Sequence, residues 1–103
     1  MAIAFVQEFA IEGGDRSTTN YDTVAARLDT KNNPPAGGIF HTAGFDDEKG
    51  VFRIFDVWET KEDAQRFIDE RLMPVVGELL GNRPDAAPPQ SQYFYELHDL
   101  MKV

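Results

Sequence analysis

Val51-Phe52-Arg53-Ile54-Phe55-Asp56-Val57-Trp58-Glu59-Thr60-Lys61-Glu62-Asp63-Ala64 is the stretch whose reading decides the fold. Side chains alternate across a strand, so one row is Val51, Arg53, Phe55 and Val57, and the other is Phe52, Ile54, Asp56 and Trp58. Both rows are dominated by large apolar groups. Leaving either in water forfeits about 1.5–3 kcal/mol for each large side chain. The segment therefore predicts a strand covered on both faces, with Asp56 and Trp58 in enclosed positions. Thr60 and Asp63 then open a helix as a capping-box-like pair, Asp being a weaker partner than Glu in that role.

Working backwards, Asp47-Glu48-Lys49-Gly50 suits a tight hairpin, with Gly50 supplying the positive φ such a loop demands. Gly38 to Asp46 is the strand before it. A four-residue loop sets Asp46 opposite Val51, His41 opposite Asp56 and Ile39 opposite Trp58. A loop one residue shorter or longer would send His41 and Asp56 to opposite faces.

Forwards, Ala64, Phe67, Ile68 and Leu72 form the buried stripe of the helix, which Pro74 should end or kink. Val75, Val76, Leu79 and Leu80 continue for a turn or two, closed by Gly81. Asn82 to Gln90 is a proline-rich loop, and Ser91 to Leu100 is the last strand. At the start of the chain, Ile3 to Ile11 reads as a strand and Gly13 to Ser17 as a loop. Thr19 or Asn20 is the expected N-cap of a helix with Tyr21, Val24, Ala25 and Leu28 on its inner face. Lys31-Asn32-Asn33-Pro34-Pro35 stops it.

The element order is β-α-β-β-α-β. That defines an α+β, ferredoxin-like domain spanning residues 1–103, a four-stranded antiparallel sheet with both helices on one face. The other face stays bare. Pairing the bare sheets of two copies into a closed barrel covers it and removes strand edges, so a homodimer is expected.

Composition bounds the function. Net charge is −8, from 18 acidic against 10 basic residues. Nucleic-acid binding needs a basic stripe to displace counterions, and there is none. No cysteine is present, which removes disulfides, thiolate catalysis and Cys-ligated metal centres together. The apolar start Met1-Ala2-Ile3-Ala4-Phe5-Val6 lacks a basic n-region and meets Gln7 and Glu8 too early for a signal peptide. No apolar run approaches the roughly 20 residues of a membrane-spanning helix. A cytoplasmic protein with no membrane partner is expected.

Asp56-Val57-Trp58-Glu59-Thr60, the following helix with Ala64, Phe67 and Ile68, and the preceding strand Gly38-Ile39-Phe40-His41 resemble the dimeric α/β-barrel superfamily. Within it they are similar to antibiotic-biosynthesis-monooxygenase-like proteins. The resemblance implies a homodimer with an apolar cavity between each sheet and its helices. It also implies that Trp58 stands against that cavity. Relatives of this layout include cofactor-free oxygenases, isomerases and haem-handling enzymes.

The catalytic candidates are His41 and Asp56. A carboxylate beside an imidazole fixes its tautomer and raises its basicity, as a general base needs; the same pair equally satisfies two buried polar groups. The substrate-binding candidates are Trp58, Ile39, Phe40 and Tyr93. Trp58 offers a flat ring for an aromatic ligand, or a seal for the strand–helix junction. Tyr93 and Tyr95 share one face of the last strand, where phenols serve either an enolate oxygen or a wet subunit interface. His98 reads as a surface residue, and Glu62, Asp63, Asp69 and Glu70 as a solvated helix side. Two histidines without a carboxylate cluster make no metal site, a haem ligand lacks context, and nucleotide-binding motifs are missing. No cofactor is expected.

Two classes of function remain. One is a cofactor-independent monooxygenase acting on an aromatic or polyketide-like molecule. The other is a non-catalytic dimer that binds a small apolar ligand or serves as a scaffold; an isomerase or lyase would use the same cavity. Fold alone does not separate them.

Overall fold

A computed structural model describes residues 1–83 and 87–103. Its strands are β1 (Ile3–Ala10), β2 (Gly38–Asp46), β3 (Val51–Trp58) and β4 (Ser91–Glu96). Its helices are α1 (Thr19–Leu28), α2 (Lys61–Phe67) and α3 (Met73–Leu80). The strands form one antiparallel sheet in the order β2-β3-β1-β4. This is the expected ferredoxin-like α+β arrangement, with β3 in the interior.

The hairpin loop has four residues, and Gly50 takes φ 66°. Register from Phe40 to Asp46 follows from it: Asp46 faces Val51 and His41 faces Asp56. Ile39 does not face Trp58. Gly38 does, and the register shifts between Gly38 and Phe40. The cause lies in the glycine pair. Gly37 has a left-handed φ of 83°, and a Cβ there would run into the Asp63 side chain. A Cβ at Gly38 would meet Pro35 at 3.2 Å and the Trp58 ring at 3.6 Å. The strand thus enters as a bulge with Ile39 as the extra residue.

The helix-covered face is marked by Phe5, Trp58 and Ala64, with Phe67, Ile68 and Phe94 packed on them. Phe5 and Phe94 stack at 4.5 Å, and Trp58 lies 5.3 Å from Phe67 between ring centres. Alternation puts Phe52, Ile54, Asp56, His41, Gln7 and Gln92 on the same face. Along β3 the ends are buried and the middle, Phe52 to Asp56, is only half-buried. The helix layer is therefore tight at the Trp58 end and more open above the strand's centre.

The opposite face carries Ala4, Val6, Arg53, Phe55, Val57, Phe40, Tyr93 and Tyr95. Ala4, Val6 and Val57 are buried beside the larger rings of their cross-strand partners, while Phe40, Tyr93 and Tyr95 are 44–45% exposed. Arg53 spans this face, bonding Glu8 at 2.7 Å and Asp46 at 3.0 Å. Past β4 the Leu97 amide donates to the Ala2 carbonyl, and the Lys102 ammonium reaches the Phe40 ring at 5.8 Å. The chain's end therefore turns back toward β2.

Several local expectations are corrected. β1 stops at Ala10, and Glu12–Gly14 forms a 3-10 turn. Thr18, not Thr19 or Asn20, is the N-cap of α1; its hydroxyl bonds the Asp22 carboxylate instead of a backbone N–H. Ala25 is exposed, because α1 turns mainly Val24 inward. Thr60 caps α2 by accepting from the Asp63 amide at 3.0 Å, but the Asp63 carboxylate goes to Arg66.

Pro74 does not end the helical path. A π-helical segment, Ile68–Leu72, precedes it and Pro74 occupies the first turn of α3. The wider turn accommodates a residue that has no N–H for an ordinary helical bond. Gly81 is right-handed, so the closing glycine is not a left-handed cap. β4 ends at Glu96, four residues early. Residues 84–86 of the expected loop lie outside the described residues.

Candidate functional site

The half-open centre of the helix-covered face holds a chain of three hydrogen-bonded side chains. His41 Nδ1 meets Asp56 Oδ1 at 2.6 Å, and His41 Nε2 meets the Tyr21 hydroxyl at 2.6 Å. Each arrives for a local reason. His41 and Asp56 are directly paired across β2 and β3 by the four-residue hairpin. Tyr21 comes down from the first turn of α1. Its ring lies parallel to the imidazole, 6.1 Å away, and edge-on to Phe52 at 5.4 Å. Phe52 packs on Phe45, and the Arg16 guanidinium covers Phe45 at 4.2 Å while holding Asp47 with both its carboxylate oxygens in reach.

The carboxylate sits behind and the imidazole in front: the Asp56 side chain is 13% exposed and His41 53%. The hydrogen bond to Asp56 raises the His41 pKa above its ordinary value, against the opposing effect of burial, and the Asp56 charge adds to the rise. Burial raises the Tyr21 phenol, and the charges of Asp56 and Asp22 push it the same way. In the neutral state the geometry suits Nδ1–H donating to Asp56, which leaves Nε2 to accept the phenolic proton.

A second polar pair lies on the same face. Gln7 Nε2 donates to Gln92 Oε1 at 3.2 Å, two residues along β1 and β4 from the Phe5–Phe94 stack. Gln7 faces Ile54, next to Asp56 along that face. Amide donors, an imidazole and a phenol thus share an otherwise apolar floor of Phe45, Phe52 and Ile54.

The four substrate-binding candidates do not form one wall. Trp58 is 4% exposed, sealed among Phe5, Ala64 and Phe67 at the tight end. Its buried indole N–H has no hydrogen-bond partner among the described residues. Ile39 is half-buried in the bulge, out of register with Trp58. Phe40 and Tyr93 lie on the face away from the helices, opposite His41 and Asp56, because each is an odd number of residues from an inward-facing neighbour. Among the described residues Trp58 packs as a seal of the strand–helix junction. Two hollows lie on other parts of the surface. One, of about 250 Å³, runs from Thr42 to Phe45 beside Arg53 and Phe55; the other, about 170 Å³, lies among Pro35, Asp63, Phe67 and Arg71.

Tyr21 and the Gln7–Gln92 pair were not singled out as site residues in the sequence. Tyr21 reads there as one member of a helical stripe, and helical periodicity says nothing about the polar tip of a tyrosine. Gln7 carried a usable signal, a polar residue in an apolar strand two positions from Phe5. His98 is exposed, as expected of a surface residue.

No protein-family model and no curated protein matches the sequence. Solved structures do. SnoaB from Streptomyces nogalater, a cofactor-independent oxygenase, is 15% identical with a TM-score of 0.64, over 99% of this chain and 98% of that one. NE2512 from Nitrosomonas europaea, a protein of unknown function, is 16% identical with a TM-score of 0.68, over 99% and 94% of the two chains. Rv0793 from Mycobacterium tuberculosis is 13% identical with a TM-score of 0.66, covering 99% and 100%. The chain therefore shares the ferredoxin-like fold of antibiotic-biosynthesis-monooxygenase-like structures, and at these identities the likeness establishes the fold alone. Among the described residues, no helix is long and apolar enough to cross a membrane.

Proposed function

We propose that this protein is a small-molecule enzyme whose chemistry begins with proton abstraction through His41, and that the reaction is a cofactor-independent monooxygenation. The observation that carries the reading is the His41–Asp56 pair, with an exposed imidazole backed by a nearly buried carboxylate. Such a pair accepts a proton at Nε2 and stabilises the resulting imidazolium. The fold shared with the oxygenase SnoaB supports this reaction.

On this reading, and by its likeness to the monooxygenase structures, the substrate is an aromatic or polyketide-like carbon acid, in which loss of a C–H proton leaves an electron pair delocalised onto a neighbouring oxygen. The amide N–H groups of Gln7 and Gln92 are suited to that oxygen. The carbanion passes one electron to dioxygen, and the two radicals join through a C–O bond. The peroxide anion so formed takes back the proton held by His41, and the resulting hydroperoxide loses water, its remaining C–H proton leaving with the hydroxyl, to give a new carbonyl. One oxygen atom stays in the product and the other departs as water, so no external reductant is consumed.

A second reading has its own support. Both nitrogens of His41 already have partners within the chain, as in a polar group that is simply satisfied. That favours a non-catalytic ligand-binding or scaffold dimer. An isomerase or lyase would share the first step and stop short of oxygen.

Solvent exchange separates these readings. In deuterated buffer without oxygen, the protein should catalyse exchange of the acidic C–H of anthrone, a carbon acid of this class. Admitting oxygen should then give anthraquinone with one equivalent of oxygen consumed. Exchange without oxygen uptake would move the assignment to an isomerase or lyase, and exchange no faster than in buffer would remove the enzymatic reading.

A further inference from the structure

We propose that Tyr21 is a catalytic residue, the group that meets the substrate and relays its proton to His41. The inference rests on the proposed role of His41 and goes beyond it. The imidazole has two nitrogens and both are occupied: Nδ1 by Asp56 and Nε2 by the Tyr21 hydroxyl, each at 2.6 Å. A substrate proton has no direct route to Nε2. The phenolic oxygen stands at the end of the chain, and a hydroxyl that donates its own proton still has lone pairs with which to accept one.

The step balances as a double transfer. The substrate's acidic C–H or phenolic O–H gives its proton to Tyr21 Oη as the Tyr21 proton moves to His41 Nε2. The electron pair of the broken bond stays on the substrate. The products are a substrate anion, a neutral tyrosine and an imidazolium held by Asp56. Tyr21 never carries a full negative charge, and this matters because its surroundings oppose one. The phenol is part-buried, Asp56 lies beyond the imidazole, and Asp22 is its neighbour on α1.

The ring is fixed in place for this task. Its plane is parallel to the imidazole, 6.1 Å between ring centres, and it stands edge-on to Phe52, which continues through Phe45 to the Arg16–Asp47 ion pair. Tyr21→Phe keeps all of these ring contacts and removes only the hydroxyl, so it isolates the proposed role.

The test compares Tyr21→Phe, His41→Ala and the double variant by oxygen uptake with anthrone. A relay predicts that each single variant loses about 10²–10⁴-fold in turnover. The double variant should be no worse than His41→Ala alone, because the two act as one unit. Tyr21→Phe turning over as fast as the unaltered protein, with His41→Ala slow, would overturn the relay and leave His41 as a direct base. Wild-type rates in both single variants would overturn the base itself and the relay with it. Nitrogen-15 NMR of His41 needs no substrate and decides independently. The relay requires, at a pH above the His41 pKa measured in the same titration, a neutral imidazole with Nδ1 protonated and Nε2 accepting, and an Nε2 signal that shifts in Tyr21→Phe. An Nε2 already protonated at that pH, or unmoved by the substitution, contradicts it.

Discussion

His41 and Asp56 stand directly opposite one another on neighbouring antiparallel strands, and their side chains meet at 2.6 Å. Asp56 is 13% exposed, so the imidazole is anchored from within the protein and offered outward. The hydrogen bond to Asp56 raises the His41 pKa. A raised pKa means that the folded state holds this proton more tightly than the unfolded chain. The pair's contribution to stability is therefore fully present below the ordinary histidine value of about 6.5, and is lost as pH rises through the folded value. NMR titration should place His41 above its ordinary value, and Asp56→Asn should bring it down. Asp56→Asn should also slow turnover less than His41→Ala, since the imidazole remains.

Gly37 is the tightest backbone position beside the bulge. Its φ of 83° is left-handed, and the Asp63 side chain fills the space a Cβ would need. Its carbonyl also accepts from the Glu59 amide at 2.7 Å. Gly37→Ala should cost at least about 1–2 kcal/mol from the left-handed conformation, before the collision is counted. Urea denaturation measures it, and an unchanged midpoint would show that the turn is not constrained in this way.

The face away from the helices should bind a second copy of this chain. Phe40, Tyr93 and Tyr95 are 44–45% exposed there, beside half-buried Phe55. The Arg53 bonds to Glu8 and Asp46 leave the charges on that face paired. Sedimentation at micromolar concentration should give twice the chain mass, and Tyr95→Glu should shift the protein toward monomer. A well-folded monomer of the unaltered chain would remove this expectation.

The strands and the hairpin were legible in the sequence, and the His41–Asp56 pairing followed once the loop had four residues, because side chains alternate with a period of two. What was not legible depended on contacts between distant segments. The bulge at Ile39 follows two glycines whose added Cβ atoms would meet Asp63 and the Trp58 ring, and no local pattern reports such surroundings. Phe40 and Tyr93 were grouped with Trp58 by chemistry, although alternation alone separates Phe40 from His41. The Pro74 position was correctly flagged as a disturbance, but its resolution as a π turn needs the packing of the whole helical run. Tyr21 joined the site because the first turn of α1 brings its side chain to His41 on β2 and Phe52 on β3, a placement set by tertiary packing.

The most direct test of the central claim is the pH–rate profile of oxygen consumption with anthrone, for the unaltered protein and for His41→Ala. The account predicts a rate that rises with pH through the raised pKa of His41, as the imidazole becomes able to accept a proton. It also predicts a loss of about 10²–10⁴-fold in His41→Ala, with the fold retained by circular dichroism. A folded His41→Ala protein with the same rate and the same pH profile would contradict it.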